Sequence, residues 1–174
     1  MPRYTLIALL VYLAACHFTA SAQHPVATRL SAQDLLTLIS TKGPDSVAHA
    51  YGQSCGAPID DSAATGDSLW LLVVHRLYGS SDGCLTEVFD NAITMAMAAA
   101  PARVLHMFPT TPLSVVCTLP RFEAPDSTIK SFYTRATRAL RLVSDTSLTT
   151  KRDHCQRLLR IAYAQRYPSG QRQR

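Results

Sequence analysis

The stretch TGDSLWLLVVHRLY, residues Thr65 to Tyr78, decides what kind of fold the rest of the chain can build. Leu69, Trp70, Leu71, Leu72, Val73, Val74 and Leu77 make it apolar nearly all round. Periodicity alone therefore does not separate a central helix from a buried strand. Length does: the run is long for a strand and ordinary for a helix. The segments around it carry helical patterns as well, so the reading is a helix.

The next five residues, Gly79-Ser80-Ser81-Asp82-Gly83, turn that choice into a functional one, because they match G-x-S-x-G. After a strand, this would be a nucleophile elbow. The strained turn would lift the Ser81 hydroxyl toward a base, for attack on an acyl carbonyl. Asp145 or Asp153 and then His154 follow in the required chain order. That fold needs a stack of parallel strands, and no second strand pattern is found. After a helix, the same residues make a helix–helix turn in which Asp82 can cap the next helix. The expectation is a protein that is not an enzyme, with a small serine hydrolase using Ser81 as the alternative.

Working outward, Leu85 to Ala100 gives the clearest helical signal. Leu85, Val88, Phe89, Ala92, Ile93, Ala96 and Met97 recur at three and four, with Glu87, Asp90, Asn91 and Thr94 opposite. Pro101 ends that helix and opens another through Val104, Leu105 and Phe108, and Thr111-Pro112 reads as a cap and first-turn proline of a short segment. Upstream, Ser31-Ala32-Gln33-Asp34 resembles a capping box ahead of Leu35, Leu36, Leu38 and Ile39, and Gly43-Pro44 stops that helix. A short helix over about Asp45 to Tyr51 follows, then a loop from Gly52 to Asp61. Downstream, Pro125 to Val143 and Ser147 to Arg166 form an antiparallel helical hairpin joined near Ser144 and Asp145. The predicted fold is all-α, a compact bundle of about six or seven helices, several short, held by two disulfides. One helical domain spans 31–167, between a short tether at 23–30 and a polar basic tail at 168–174.

The first 22 residues read as an export signal. Arg3 is the positive end, and Thr5 to Ala15 is an apolar run too short to span a bilayer. Two processing sites compete. Leu13-Ala14-Ala15-Cys16 is a lipobox that would make Cys16 a lipidated first residue; Ala20-Ser21-Ala22 would instead allow cleavage before Gln23. The lipobox is preferred, since a cysteine placed at the end of the run arises by chance less readily than an A-x-A in an alanine-rich stretch. Membrane tethering is expected only if Cys16 is lipidated, because no later stretch qualifies as a transmembrane helix. The expected location is the periplasm or outer membrane as a lipoprotein; the alternative is a free periplasmic or secreted protein.

Either cut leaves four of the five cysteines: Cys55, Cys84, Cys117 and Cys155. An even set in an exported chain reads as two disulfides. Three connectivities are possible; Cys55–Cys84 and Cys117–Cys155 are favoured because each closes a local excursion. No CxxC supports a zinc ribbon or a thioredoxin-like centre. Met95, Met97, His106 and Met107 suit cuprous copper, but core filling accounts better for them. His49, His75 and His154 are isolated. No cofactor is implied.

Charged residues are sparse, 17% against 47% apolar, which excludes wholesale disorder. They are also unevenly spread. From Gln23 to Leu119 there are four basic residues against eight acids; from Pro120 to Arg174 there are twelve against four. Arg135, Arg138 and Arg141 share one side of their helix, and Lys151, Arg152, Arg157 and Arg160 add to the next. Such a face suits an anionic partner: a protein, an envelope polymer or lipid head groups. It carries no nucleic-acid recognition motif, and no nucleic acid is expected. The bland reading is a dipolar domain whose basic end packs on its own acidic end. Taken together, the residues point to an exported, non-enzymatic helical module of the bacterial envelope that binds a partner. It would act as an inhibitor or immunity-like protein, an adaptor or a structural lipoprotein; a binder of anionic polymer or lipid through the basic helices is a further alternative.

Overall fold

The computed structural model describes residues 30–52, 59–120 and 123–168, and all regular structure among them is helical. Helix α1 (Ala32–Lys42) begins at a capping box: the Ser31 hydroxyl accepts from the Asp34 N–H, and the Asp34 carboxylate accepts from the Ser31 N–H at 3.0 Å. The Ser31 hydroxyl also donates to that carboxylate at 2.7 Å, and this bond, then the one from the Ser31 N–H, holds the Asp34 carboxyl below its ordinary value. Gly43 ends α1 at φ 82, where its N–H donates to the Ile39 carbonyl. Pro44 opens α2 (Pro44–Gly52), and α3 (Ile59–Ala64) follows.

Within TGDSLWLLVVHRLY the helix is α4 (Ser68–Tyr78), preceded by a turn at Thr65 and Gly66. Asp67 caps it, its carboxylate accepting from the N–H groups of Leu69 and Trp70 at 2.9 and 3.1 Å. Leu71, Val73, Val74 and Leu77 are wholly buried, because α4 packs against α1, α2, α3, α5 (Gly83–Ala96) and α6 (Pro101–Met107) at once. It is not buried all round: Leu69, His75 and Arg76 are exposed.

The chain continues through α7 (Leu113–Val116), α8 (Asp126–Arg141), a 3-10 turn (Thr146–Leu148) and α9 (Thr149–Arg166). Here the support thins. α9 packs on α7, α8 and the 3-10 turn, and buries only Cys155 and Leu159 outright. Cys155 is joined to Cys117, at the end of α7, by a disulfide with the Cα atoms 5.1 Å apart. Cys84 is disulfide-bonded as well, and Cys55 lies outside the described residues.

Several expectations are corrected. The described residues hold nine α-helices, not six or seven. One that the sequence did not place is α3, part of which it assigned to a loop: Ile59 and Ala63 are fully buried, and burial against α5 outweighs the turn-like composition around them. Gly66, at φ 80, breaks α3 from α4. A Cβ there would lie 2.9 Å from the Ala100 Cβ, so only glycine lets the two turns meet. The same approach explains why α5 stops at Ala96 rather than Ala100, with Pro101 barring helical backbone at Ala100. Asp82 makes no side-chain cap, and Pro112 is the N-cap of α7 rather than its first residue. Thr94, expected on the polar face, is buried where α7 covers it, its hydroxyl donating to the Val115 carbonyl at 3.1 Å.

Candidate functional site

The basic residues expected to form a face lie on α8 and α9, so the relation between these helices sets the site. α8 buries Ile129, Phe132, Ala136 and Leu140 at three and four, which fixes its outward side. Tyr133 and Tyr163 stack across the hairpin with ring centroids 4.0 Å apart, and Tyr163 also touches Tyr167. The Tyr167 hydroxyl donates to Asp126 at 2.8 Å, and Lys130 sits over the Tyr167 ring. These contacts turn one flank of each helix toward the other and hold the far end of the hairpin closed.

With those sides fixed, a step of about 100° per residue sends Arg138 directly away from the core, with Arg135 and Arg141 on either shoulder. On α9 the same construction sends Arg157 outward, with Arg160 toward the seam. All five are exposed and none makes an ion pair among the described residues. The other two expected members do not join them. Arg152 turns inward: it donates to the Val143 carbonyl at 3.1 Å and pairs with Asp153 at 2.8 Å, closing the turn end of the hairpin. Lys151 is half-buried on the flank away from α8.

Three of the four acids of this half are held elsewhere, and the fourth, Glu123, is exposed. Asp126 pairs with Arg166 and accepts from Tyr167, and that hydrogen bond leads the effects lowering its carboxyl value. Asp145 accepts from the Ser147 N–H and hydroxyl and meets His106 Nε2 at 2.7 Å, which together hold its carboxyl low. Asp153 is taken by Arg152. Among the described residues, no ion pair links a carboxylate of the acidic half to an arginine of the basic half.

The remaining candidates are placed as follows. Ser81 lies between two helices; its hydroxyl donates to the Tyr78 carbonyl and lies 3.0 Å from the Thr86 hydroxyl. Met97 is fully buried, but His106 is not core: it is exposed and faces Asp145. No group of three or more metal-ligating side chains occurs among the described residues, and no described helix is long and apolar enough to cross a membrane. His75 meets the Phe108 ring edge-on, while His49 and His154 are exposed. Cys16 and Cys55 lie outside the described residues.

Sequence reasoning missed an open groove of about 430 Å³ on the acidic half, lined by Glu87, Asp90, Asn91, Thr94, Leu119 and Glu123 among others. Its polar residues were visible as the stripe along α5, but nothing marked α7 as the second wall. Tyr78 donates to Asp90 there at 2.5 Å; burial and then that carboxylate push the phenol well above its ordinary value. No protein-family model, curated protein or solved structure matches the chain.

Proposed function

We propose that this chain is an exported, non-enzymatic partner-binding module of the bacterial envelope, and that its working surface is the basic outer face of the α8–α9 hairpin. The observation that carries the reading is the set of five exposed arginines, Arg135, Arg138, Arg141, Arg157 and Arg160, with no ion pair among the described residues, beside Asp126, Asp145 and Asp153, each of which is engaged elsewhere. Unpaired charges of one sign, gathered on one side, favour a partner of the opposite sign and speed its encounter. Retention on an immobilised polyanion is the test. It should fall with added salt, as screening predicts. It should be lost when Arg135, Arg138 and Arg141 are all changed to Glu. Retention unaffected by those reversals would remove this surface from the function.

The export route belongs to the same proposal. The Arg3 and Thr5–Ala15 signal would deliver the domain of residues 31–167 to an oxidising compartment, where Cys55 is the proposed partner of Cys84. Cys16 would be lipidated, with residues 23–30 as part of the tether. Mass spectrometry of the protein recovered from the envelope reads this directly: a mature chain starting at acylated Cys16 supports it, and one starting at unmodified Gln23 overturns it.

A further inference from the structure

Resting on the reading of the hairpin as the working surface, we infer that its partner is the surface of an anionic lipid bilayer. The shape of the face comes first. The described grooves lie beside the arginines rather than among them: one on the α5–α7 side, one at the Pro120, Ile129 and Ala162 end, one at the Ala99, Leu142 and Asp145 corner. None of these described grooves is lined by any of the five arginines, which lie on the two-helix layer between them. Arg135, Arg138 and Arg141 fan across about 120° of α8, and Arg157 and Arg160 continue the row on α9. A fan of that kind addresses a plane of many phosphates. The carboxylate that the helical phase puts among them, Asp153, is held by Arg152.

The second observation concerns aliphatic side chains. Leu142 is 74% exposed and Ile161 is 54% exposed, the two most exposed large hydrophobics of the described chain. Each belongs to a different helix of the hairpin. Leu142 follows Arg138 by four residues, and Ile161 follows Arg157 by four, so each sits on its own arginine stripe. By the same helical phase each lies about 40° from its own arginine on the side away from the seam, Leu142 between Arg138 and Arg135 and Ile161 beyond Arg157. A soluble polyanion gains nothing from them there. A bilayer does: guanidinium groups at the phosphates let neighbouring aliphatic side chains reach the acyl boundary, as on interfacial helices.

The test uses the mature form that begins at Gln23, which lacks both Cys16 and the apolar Thr5–Ala15 run, so vesicle binding reports the folded domain. Flotation with vesicles containing phosphatidylglycerol is compared with pure phosphatidylcholine vesicles and with retention on heparin. Binding to the anionic vesicles alone is expected. Each of Arg138→Gln and Arg157→Gln should weaken it about fivefold, the effect of roughly one surface charge. Leu142→Gln with Ile161→Gln should weaken vesicle binding while leaving heparin retention unchanged. These positions are exposed, and an unchanged helical circular-dichroism spectrum confirms that each variant folds. Retention on heparin without vesicle binding, or vesicle binding indifferent to Leu142 and Ile161, overturns the bilayer inference and leaves the basic-face reading standing. Loss of both in the unmodified arginine protein overturns the two together.

Discussion

The region around α4 and the α8–α9 hairpin are both helical, yet they are stabilised by different means. α4 is surrounded by five helices and buries Leu71, Val73, Val74 and Leu77 completely. α9 is longer, lies on two helices and a 3-10 turn, and buries two side chains outright. What the hairpin lacks in apolar area is supplied by the Cys117–Cys155 bond, the Tyr133–Tyr163 stack and ties from Arg152 to the Val143 carbonyl and from Arg166 to Asp126. The comparison teaches that exposure here has a use. A helix that gave its whole circumference to a core could not present arginines to a partner, and a helix that presents them must be anchored by other bonds.

Breaking each region should therefore give different failures. The largest effect is expected from Phe89→Ala on α5, a fully buried ring in the α4 core. Deleting it removes both the transfer energy and the packing, about 3–5 kcal/mol. Urea unfolding should show one cooperative transition moved to much lower denaturant. Next comes the double change Cys117→Ala and Cys155→Ala, which frees a segment of 38 residues of sequence separation. The expected cost is about 2–4 kcal/mol. Its distinguishing mark is local: hydrogen exchange should accelerate at α9 amides far more than at α4 amides. Equal acceleration in both would show that the two regions are one cooperative unit, and the contrast drawn above would fall. A smaller cost, about 1–3 kcal/mol, is expected for Gly66→Ala, from left-handed backbone and the approach to Ala100.

The sequence made the first region easy to read and the second only partly so. Leu85 to Met97 spells its buried face at three and four, and Ser31 to Asp34 spells its cap, because both signals are local. α3 and the end of α5 were illegible for a physical reason: Ile59 is helical through burial against α5, and Gly66 with Ala100 sets two boundaries by a contact made in three dimensions. The basic face was legible as charge and spacing. Which arginines belong to it was not. Arg152 and Arg157 look alike in the chain, and only the carbonyl of Val143 and the carboxylate of Asp153 distinguish the inward one. His106 was misread as core because its neighbours Leu105 and Phe108 are core, while Asp145, its partner, is 39 residues away.

That His106–Asp145 contact is one place where the two regions meet, and it gives the smallest and most specific prediction. It joins α6 to the turn of the hairpin at 2.7 Å. Asp145 has its carboxyl value lowered on folding, first by Ser147 and then by His106. A group whose folded value is depressed contributes stability that is complete above its unfolded value and disappears as pH falls through the folded one. Asp145→Asn keeps the size and removes that linkage. The variant should be less stable than the parent at neutral pH, and the gap should close as pH drops through and below the ordinary carboxylate range. Asp34 and Asp126, whose values are also lowered, remain in both proteins, so the difference between the two stability curves isolates Asp145. A gap that stays constant with pH would mean that Asp145 acts only as a neutral cap for Ser147, and that the contact with His106 does not bind the hairpin to α6.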